Sequence, residues 1–218
     1  MTDSKTPFWD IDKVETDLQA ALDNKSEPDL LEVLKVNSFL FFHLYSRKGG
    51  IQPIFREISF GGKYRCDFAW LNDNSDGPEW VLMELEKPQM RIFNAKGKPT
   101  SELNGAIEQV KSWQRYFHEN PAEKKRIFGA VAKFRFILVA GDKKDWNNED
   151  SMKWRTFHNA NSDIELRTID VFKRALVDYK RQPNAFWSFE ENPVTLGFAG
   201  LEEYWKGYSY MDLMRKLY

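Results

Sequence analysis

The chain has 218 residues, of which 42% are hydrophobic and 30% are charged, and its formal net charge is −1. This composition is typical of a globular protein and excludes a disordered or fibrous one. The single cysteine, Cys66, excludes an intrachain disulfide and a zinc cluster built from cysteines. No apolar run approaches the ~20 residues that cross a bilayer, and the acidic first residues lack the features of a secretory signal. We therefore expect a cytoplasmic protein with no membrane attachment.

Charge is distributed unevenly along the chain. Residues 1–32 carry nine acids and three bases, whereas residues 87–144 carry thirteen bases and five acids. A basic central segment is a reason to consider a polyanionic partner. The alternative is a solvated charged surface, and the charge counts by themselves favour that alternative.

The first half of the chain predicts one helix and three strands. Leucine and phenylalanine recur at helical spacing over residues 27–47, and the sequence KGG then predicts the end of this helix. Strand patterns follow at residues 54–60, 64–71 and 80–86. The segments between these strands have turn composition, which indicates an antiparallel meander.

The second half predicts alternating helices and strands. An amphipathic helix is expected at residues 101–118, and residues 134–141 have the pattern of a central strand that is covered on both faces. A helix at 149–160, a strand at 164–171 and a helix at 172–180 complete the pattern. The whole order predicts an α/β fold with a mixed central β-sheet flanked by helices.

The domain organisation follows from composition. We expect an acidic N-terminal segment over residues 1–29, one domain over residues 30–182 and an aromatic-rich extension over residues 183–218. The extension carries nine aromatic residues. It is expected to pack on the core or at a subunit contact of a homo-oligomer; stacking against bases is a weaker alternative.

Three carboxylates stand inside strand patterns that are otherwise apolar. Because side chains alternate along a strand, Glu84 and Glu86 are expected on one face, opposite Leu85. If the two strands pair around residues 72–79, Asp67 comes close to both glutamates. Clustered carboxylates repel each other, and Mg²⁺ or Mn²⁺ would remove that repulsion because hard cations prefer oxygen ligands.

The same alternation has a second interpretation. It places Asp67 on the face of Ala69, opposite Cys66 and Phe68. The hairpin then has one wet face, where Arg65 or Lys87 pairs with the acids. Spacing alone does not decide between a metal site and this charged surface.

The motifs resemble those of a known nuclease superfamily. Asp67, sixteen further residues and then Glu84-Leu85-Glu86 are similar to the PD-(D/E)XK signature, with Cys66 where that superfamily often has proline. The following helix carries Gln109 within EQVKSWQRYF. Four motifs (REISFGGKYRCDFAW, WVLMELEKPQ, AIEQVKSWQRYF and FRFILVAGD) stand in the order seen in the Shedu family of bacterial anti-phage nucleases. The resemblance covers roughly residues 30–180.

The resemblance implies a Mg²⁺- or Mn²⁺-dependent DNA endonuclease with a PD-(D/E)XK, restriction-endonuclease-like core over residues 30–182. On this interpretation Asp67, Glu84 and the carbonyl of Leu85 bind the metal. Glu57 supplies a neighbouring carboxylate or a further ligand, and Gln109 sits at the edge of the site. Without the resemblance, Gln109 is equally well an ordinary glutamine at the border of a helix's apolar stripe.

One position departs from the superfamily pattern. The lysine expected two residues after the catalytic glutamate is Glu86. A glutamate can accept a proton from the attacking water or bind a second metal ion. Alternatively Lys87 bends into the site, although strand alternation points it away. The resemblance thus implies Asp67, Glu84, Glu86 and Gln109 as catalytic residues, with an inactive nucleic-acid- or protein-binding module as the alternative.

Basic residues near these motifs are candidates for contacts with the DNA backbone. Such contacts give affinity without sequence preference, and binding then weakens steeply with salt. Each residue is individually more often part of an ordinary surface. The candidates are Lys87, Lys96, Lys98, Lys124, Lys125 and Arg126.

Overall fold

The computed structural model describes residues 8–46 and 51–218. The α-helices in these ranges are α1 (Ile11–Asp23), α2 (Glu27–Val36), α3 (Ser101–Glu119), α4 (Pro121–Phe128), α5 (Glu149–Asn161), α6 (Asp170–Arg181), α7 (Phe198–Gly207) and α8 (Ser209–Leu217). The strands are β1 (Ile54–Phe60), β2 (Tyr64–Asn74), β3 (Gly77–Leu85), β4 (Lys133–Val139), β5 (Ile164–Arg167) and β6 (Leu196–Gly197). Short 3₁₀ helices lie at Ser38–His43, Lys143–Trp146 and Pro183–Phe189. None of the helices in these ranges is long and apolar enough to cross a membrane.

Polar residues fix where several helices begin. The side chains of Asp10, Ser26, Thr100 and Asn148 each accept a hydrogen bond from a main-chain amide in the first turn of α1, α2, α3 and α5. These amides have no partner within the helix, so a side-chain oxygen at this position stabilises the helix start.

The six strands form one mixed sheet in the order β5-β4-β3-β2-β1-β6. Strands β1, β2 and β3 form the predicted antiparallel meander, whereas β3, β4 and β5 are parallel. The register aligns Leu85 with Val139 and Val139 with Arg167. The carboxyl ends of these three strands therefore meet at one edge of the sheet, and the predicted mixed sheet flanked by helices is confirmed.

Helices cover both faces of the sheet. One face packs against α3, through residues such as Val110 and Trp113, and contributes Trp80 and Leu82 of β3. The other face packs against α1, α2, α6 and the 3₁₀ helix at Ser38–His43, and contributes Met83 of β3. All residues of β3 are buried, including its polar ones.

The predicted first helix is interrupted. Helix α2 ends before Asn37, and a 3₁₀ helix follows at Ser38–His43. The buried side-chain amide of Asn37 donates to the carbonyl oxygen of Val33 at 2.8 Å, which satisfies a carbonyl at the end of α2. The predicted helix end at residues 48–50 lies outside the described residues.

Two strand boundaries differ from the sequence prediction. Strands β2 and β3 extend into the expected turn, which shrinks to Ser75 and Asp76. Strand β5 ends at Arg167, because the chain turns at Thr168 and α6 begins at Asp170. The β-branched residues in this turn favour a strand by their propensity alone, and the turn overrides that propensity.

Both ends of the described chain pack into the core. Helix α1 buries Val14, Leu18 and Ala21 in the core cluster that also contains Phe172 of α6. The expected boundary between residues 29 and 30 falls inside α2. At the other end the indole NH of Trp205 donates to the carbonyl oxygen of Ile127 at 2.9 Å.

Candidate active site

The candidate site lies where β2 and β3 separate. Their last paired residues at this end are Phe68 and Met83. Beyond this pair, the main-chain amide of Leu85 donates to Oδ2 of Asp67 at 2.8 Å. The Asp67 carboxylate thus occupies the gap between the strands, and it is 8% exposed.

Glu84 is as enclosed as Asp67. It lies near the end of β3, is also 8% exposed, and its Oε1 accepts a hydrogen bond from the side-chain amide of Gln109 on α3. Its Oε2 is buried and has no hydrogen-bond partner within residues 8–46 and 51–218. A buried carboxylate oxygen without a donor is costly unless a cation faces it. The charged-surface interpretation does not hold for Glu84, because the residue is buried.

Two more glutamates complete the cluster. Glu86 directly follows β3, and its amide donates to the carbonyl oxygen of Val139 at 2.9 Å. Glu27 is the first residue of α2, and its charge acts on Asp67, Glu84 and Glu86. Glu27 was not predicted from the sequence. Its position after the helix cap predicts a carboxylate at a helix start, but only the packing of α2 places it beside β3.

Burial raises the pKa of every acid in the cluster, and mutual repulsion raises that of Asp67, Glu84 and Glu86 further. Burial is the main cause for Glu84, and Asp67, Glu86 and Glu27 raise its pKa further. The pKa of Asp67 is also raised, chiefly by burial, although the hydrogen bond from Leu85 opposes the shift. Burial and the charges of Glu27 and Asp67 raise the pKa of Glu86 to about 7. The cluster therefore favours protonation or a bound cation.

The nearby basic residues do not neutralise the cluster. Burial raises the pKa of Glu27, and the charges of Lys87 and Arg65 offset only part of that shift. Arg65 likewise opposes the raised pKa values of Asp67 and Glu84 without cancelling them. Within the described ranges, neither makes an ion pair with Asp67, Glu84 or Glu86; the guanidinium of Arg65 lies 3.9 Å from Glu57 instead. Lys87 is exposed.

Glu57 lies opposite Asp67 in the β1–β2 ladder. It adopts a left-handed backbone conformation with φ of +55°. The pairs Arg56–Phe68 and Ile58–Cys66 flank it, and Glu57 itself is unpaired in the ladder. Its carboxylate is about half exposed and lies 3.5 Å from the ammonium of Lys35. The structure thus places Glu57 near Asp67 but facing solvent.

This irregularity changes the side-chain alternation of β2. Cys66 and Ala69 pack in the same core cluster, whereas Phe68 packs on the other face. The predicted grouping of Cys66 with Phe68 is therefore wrong. The left-handed residue opposite Asp67 interrupts the regular pleat, so strict alternation fails at this point.

The donor atoms fit a hard divalent cation. The described residues contain no group of three or more His, Cys, Asp or Glu side chains arranged to hold a metal ion. The predicted set needs only two carboxylates, from Asp67 and Glu84, and the carbonyl of Leu85. Mg²⁺ commonly takes one or two protein carboxylates and keeps several waters. Oε2 of Glu84, which has no hydrogen-bond partner among the described residues, is a carboxylate oxygen available to coordinate such a cation.

Two of the predicted DNA-contacting lysines share a loop at the carboxyl end of the sheet. The main-chain amides of Lys96 and Lys98 donate to the side-chain oxygen of Asn94 at 2.9 and 3.2 Å. Ile92, just before this loop, packs tightly against Gly141, which follows β4. Lys96 and Lys98 therefore lie at the same edge as the carboxylates.

The basic residues of α4 lie at the other end of the sheet. Lys124 lines a cavity with Lys133, the first residue of β4. Lys133 pairs in register with Glu79, which precedes Glu84 by five residues, or roughly 16 Å of strand. Helix α4 leads into β4, so it lies at the amino end of that strand.

Two members of the basic stretch in α4 make local contacts. The ammonium of Lys125 donates to the carbonyl oxygen of Arg215 at 3.0 Å, and Arg126 lies 3.4 Å from Glu123. The structure does not bring these side chains to the carboxylates.

Residues 24–172 match the family described as Shedu protein SduA, C-terminal. The chain belongs to this family. Membership suggests a role in anti-phage defence. The Shedu match contains all of the cluster described above, including Glu27 at its start and Gln109. A comparison with curated proteins found no match.

Proposed function

We propose that this Shedu chain is a Mg²⁺- or Mn²⁺-dependent DNA endonuclease that hydrolyses phosphodiester bonds in anti-phage defence. On this proposal the mixed sheet is a PD-(D/E)XK core. The observation that carries the proposal is the buried carboxylate pair of Asp67 and Glu84, with Oε2 of Glu84 left without a donor among the described residues. This pair lies inside the family match.

The chain's own contacts position the proposed ligands. The amide of Leu85 holds the Asp67 carboxylate, and Gln109 orients the Glu84 carboxylate by donating to Oε1. On this proposal Oε2 of Glu84, the second oxygen of Asp67 and the Leu85 carbonyl would hold the cation. A bound divalent cation supplies positive charge that polarises the phosphodiester and stabilises the charge that develops during its hydrolysis.

Glu86 is the proposed general base. Its pKa is raised to about 7 by burial and by Glu27 and Asp67. A base with this pKa is substantially ionised at neutral pH and still holds a proton well, which is the range in which general-base catalysis is efficient. Glu86 would accept the proton of the water that attacks the scissile phosphate.

A cleavage assay tests the proposal. Supercoiled, nicked and linear DNA are incubated with the protein in Mg²⁺, Mn²⁺ or EDTA. We expect cleavage that needs the metal and is lost in Glu84→Gln, because the amide no longer supplies a negative ligand. Glu108→Gln is the matched control, since Glu108 is an exposed residue of α3 that pairs with Arg115. Cleavage that survives in Glu84→Gln would contradict the proposed site.

The alternative is a binding module on the same fold, without catalysis. Glu86, in place of the lysine of the superfamily pattern, is the observation that favours it. Such a module would bind DNA or a protein partner with no dependence on divalent metal and would cut no substrate. Metal-dependent cleavage by the wild-type protein would exclude it.

A homo-oligomer is a further part of the proposal. Helix α8 exposes Leu213 and Leu217, which are 56% and 68% exposed. Their burial against a second copy would stabilise such an assembly. Sedimentation of the wild-type protein and of Leu213→Ser/Leu217→Ser tests this, and a monomeric wild-type protein would contradict it.

A further inference from the structure

A cavity of about 490 Å³ opens beyond the carboxyl ends of β4 and β5. It is lined chiefly by charged side chains from the segment after β4, from α5, from the end of β5 and from α6. Positive charges dominate. The charged lining residues include Lys143, Arg155, Arg167, Asp170, Lys173 and Arg174.

Part of this positive charge is balanced locally. The ammonium of Lys173 lies 3.1 Å from Asp142 and 3.7 Å from Asp170. The guanidinium of Arg174 lies 3.7 Å from Asp178. His43, which also lines the cavity, contacts that same aspartate at 2.8 Å. Most of these side chains are partly exposed.

The rest of the positive charge is unbalanced. Within the described part of the chain, neither Lys143 nor Arg155 makes an ion pair. Arg155 instead lies over the ring of Trp146, 5.3 Å from its centroid. Burial and the neighbouring charge of Arg167 both lower the pKa of Arg155. Arg155 and Arg167 thus both line the cavity, and no acid of the described residues pairs with both.

Arg167 also has unused hydrogen-bonding capacity. One of its terminal nitrogens pairs with Glu165. Its Nε is buried and has no hydrogen-bond partner among residues 8–46 and 51–218. The Arg167 side chain as a whole is 40% exposed and lines the cavity, where its guanidinium adds positive charge.

The cavity lies at the same edge of the sheet as the carboxylates. Arg167 is level with Val139, and Val139 is level with Leu85. Two strand spacings separate Arg167 from Leu85, which is roughly 10 Å between backbones. Ligands of such sheets commonly bind beyond the carboxyl ends of the strands.

We propose that this cavity binds phosphate groups. Arginine and lysine together recognise phosphate through several charge-assisted hydrogen bonds. The phosphate has two chemical sources, the backbone of a DNA strand or a free nucleotide. The cavity lies at the same edge of the sheet as the carboxylates, two strands away, and this placement favours the DNA strand. That assignment rests on the proposed nuclease function, whereas phosphate binding itself does not.

The test uses Lys143→Ala/Arg174→Ala in the full chain. Both side chains are exposed, and the main-chain amide of Lys143 keeps its hydrogen bond to Asp170 in the variant. The control is Lys13→Ala/Lys206→Ala, which removes the same charge from α1 and α7. Conservative exchange, Lys143→Arg/Arg174→Lys, tests for rescue. Circular dichroism establishes that each variant is folded.

DNA binding is measured in EDTA by fluorescence anisotropy of a labelled duplex at several salt concentrations. A parallel arm titrates pyrophosphate and ATP by calorimetry. If the DNA backbone is the source, the plot of log affinity against log salt becomes less steep by about 0.9 for each phosphate that the variant no longer neutralises. Affinity near 0.1 M salt falls at least tenfold, and the control variant binds as the wild-type protein does.

The remaining outcomes are equally decisive. Loss of pyrophosphate and ATP binding with unchanged DNA binding would keep the phosphate site and assign a free nucleotide to it. Unchanged binding of all three ligands would overturn the site, as would a wild-type protein that binds none of them. Because this readout needs no cleavage, it is separate from a failure of the nuclease proposal, which would show as intact DNA in every metal.

Discussion

The acidic side chains of the candidate site are buried or half-buried, and burial disfavours their charged form. Asp67 and Glu84 are each 8% exposed, and Glu27 and Glu86 add further negative charge. A hydrogen bond from Leu85 and one from Gln109 offset part of the cost. Without a cation, the folded protein therefore favours the protonated carboxyl groups.

This state makes the stability of the metal-free protein depend on pH. The pKa of each acid is higher in the folded than in the unfolded protein. Its contribution to the free energy of unfolding is therefore complete at low pH. The contribution is lost as pH rises through the folded pKa, which is about 7 for Glu86. In EDTA we expect Tm to fall by roughly 5 °C between pH 5.5 and 8.5.

The control for this prediction is a comparison of variants in thermal melts. Glu86→Gln removes a titrating group, so the fall in Tm should shrink, whereas Glu108→Gln should behave as the wild-type protein. Saturating Mg²⁺ should also reduce the fall. An equal fall in wild-type protein and Glu86→Gln would contradict the assignment.

Gln109 gives a second prediction for a single residue. Its amide fixes the orientation of Glu84, and partners of this kind typically change metal affinity or activity 10- to 100-fold when removed. We expect Gln109→Ala to lower the cleavage rate about tenfold or more, with little change in DNA affinity. Gln114→Ala, on the same helix, should cleave normally. Equal rates for the two variants would show that Gln109 does not position Glu84.

Sequence spacing and family resemblance together pointed to the residues that the structure brings together at this site. Strand alternation accounts for Glu84 at the end of β3, whereas Gln109 was assigned to the site only through the resemblance. Glu27 lies far from them in the chain and reaches the site only through the packing of α2. A single sequence holds no local signal for that contact.

At the scale of elements, the β1–β2 ladder is distorted at the site. Glu57 is left-handed, with φ of +55°, a conformation that costs a residue with a Cβ about 1 kcal/mol or more. The distortion lies directly opposite Asp67. It changes which residues of β2 face each side of the sheet, and strict alternation could not predict it.

Replacing Glu57 tests this strain. Glycine in a strand is normally less stable than alanine, by about 0.5–1 kcal/mol. At this position we expect the reverse order, with Glu57→Gly more stable than Glu57→Ala by about 1 kcal/mol in the free energy of unfolding. Both variants lack the same carboxylate, so each is the control for the other. Denaturant titration measures the difference, and the ordinary order would show that Glu57 is not left-handed.

Elements with strong patterns were predicted well and weakly patterned ones were not. Helix α3 has both a cap at Thr100 and a clear apolar stripe, and its predicted bounds were nearly correct. Strand β6 has two residues, which is too short for any periodicity to predict it. The segment 164–171 has β-branched residues, yet a turn at Thr168 divides it between β5 and α6.

At the scale of the whole molecule, the C-terminal extension is part of the core. Leu201, Trp205 and Met211 are buried on the face that carries α3, while Phe186 and Phe189 are buried on the opposite face. The aromatic composition predicted an apolar surface but not which residues are covered, because burial depends on the packing of α7 and α8 against distant elements.

Two tryptophans of the C-terminal extension allow its packing on the core to be measured. Trp205 is 3% exposed and donates a hydrogen bond to the carbonyl oxygen of Ile127, whereas Trp187 is 54% exposed. We expect Trp205→Ala to lower the free energy of unfolding by about 3–5 kcal/mol and Trp187→Ala by roughly 0.5 kcal/mol or less. Urea titration of both variants measures this. Similar decreases in both would mean that α7 does not pack on the core as described.

The proposed site requires that Asp67 and Glu84 bind a divalent cation, and a Mn²⁺ titration by calorimetry measures that binding. The wild-type protein, Glu84→Gln and Glu108→Gln are compared at pH 8, without DNA. We predict Mn²⁺ binding to the wild-type protein and to Glu108→Gln that is abolished or weakened at least tenfold in Glu84→Gln. Equal Mn²⁺ affinity in all three proteins, or no binding to any of them, would contradict the account.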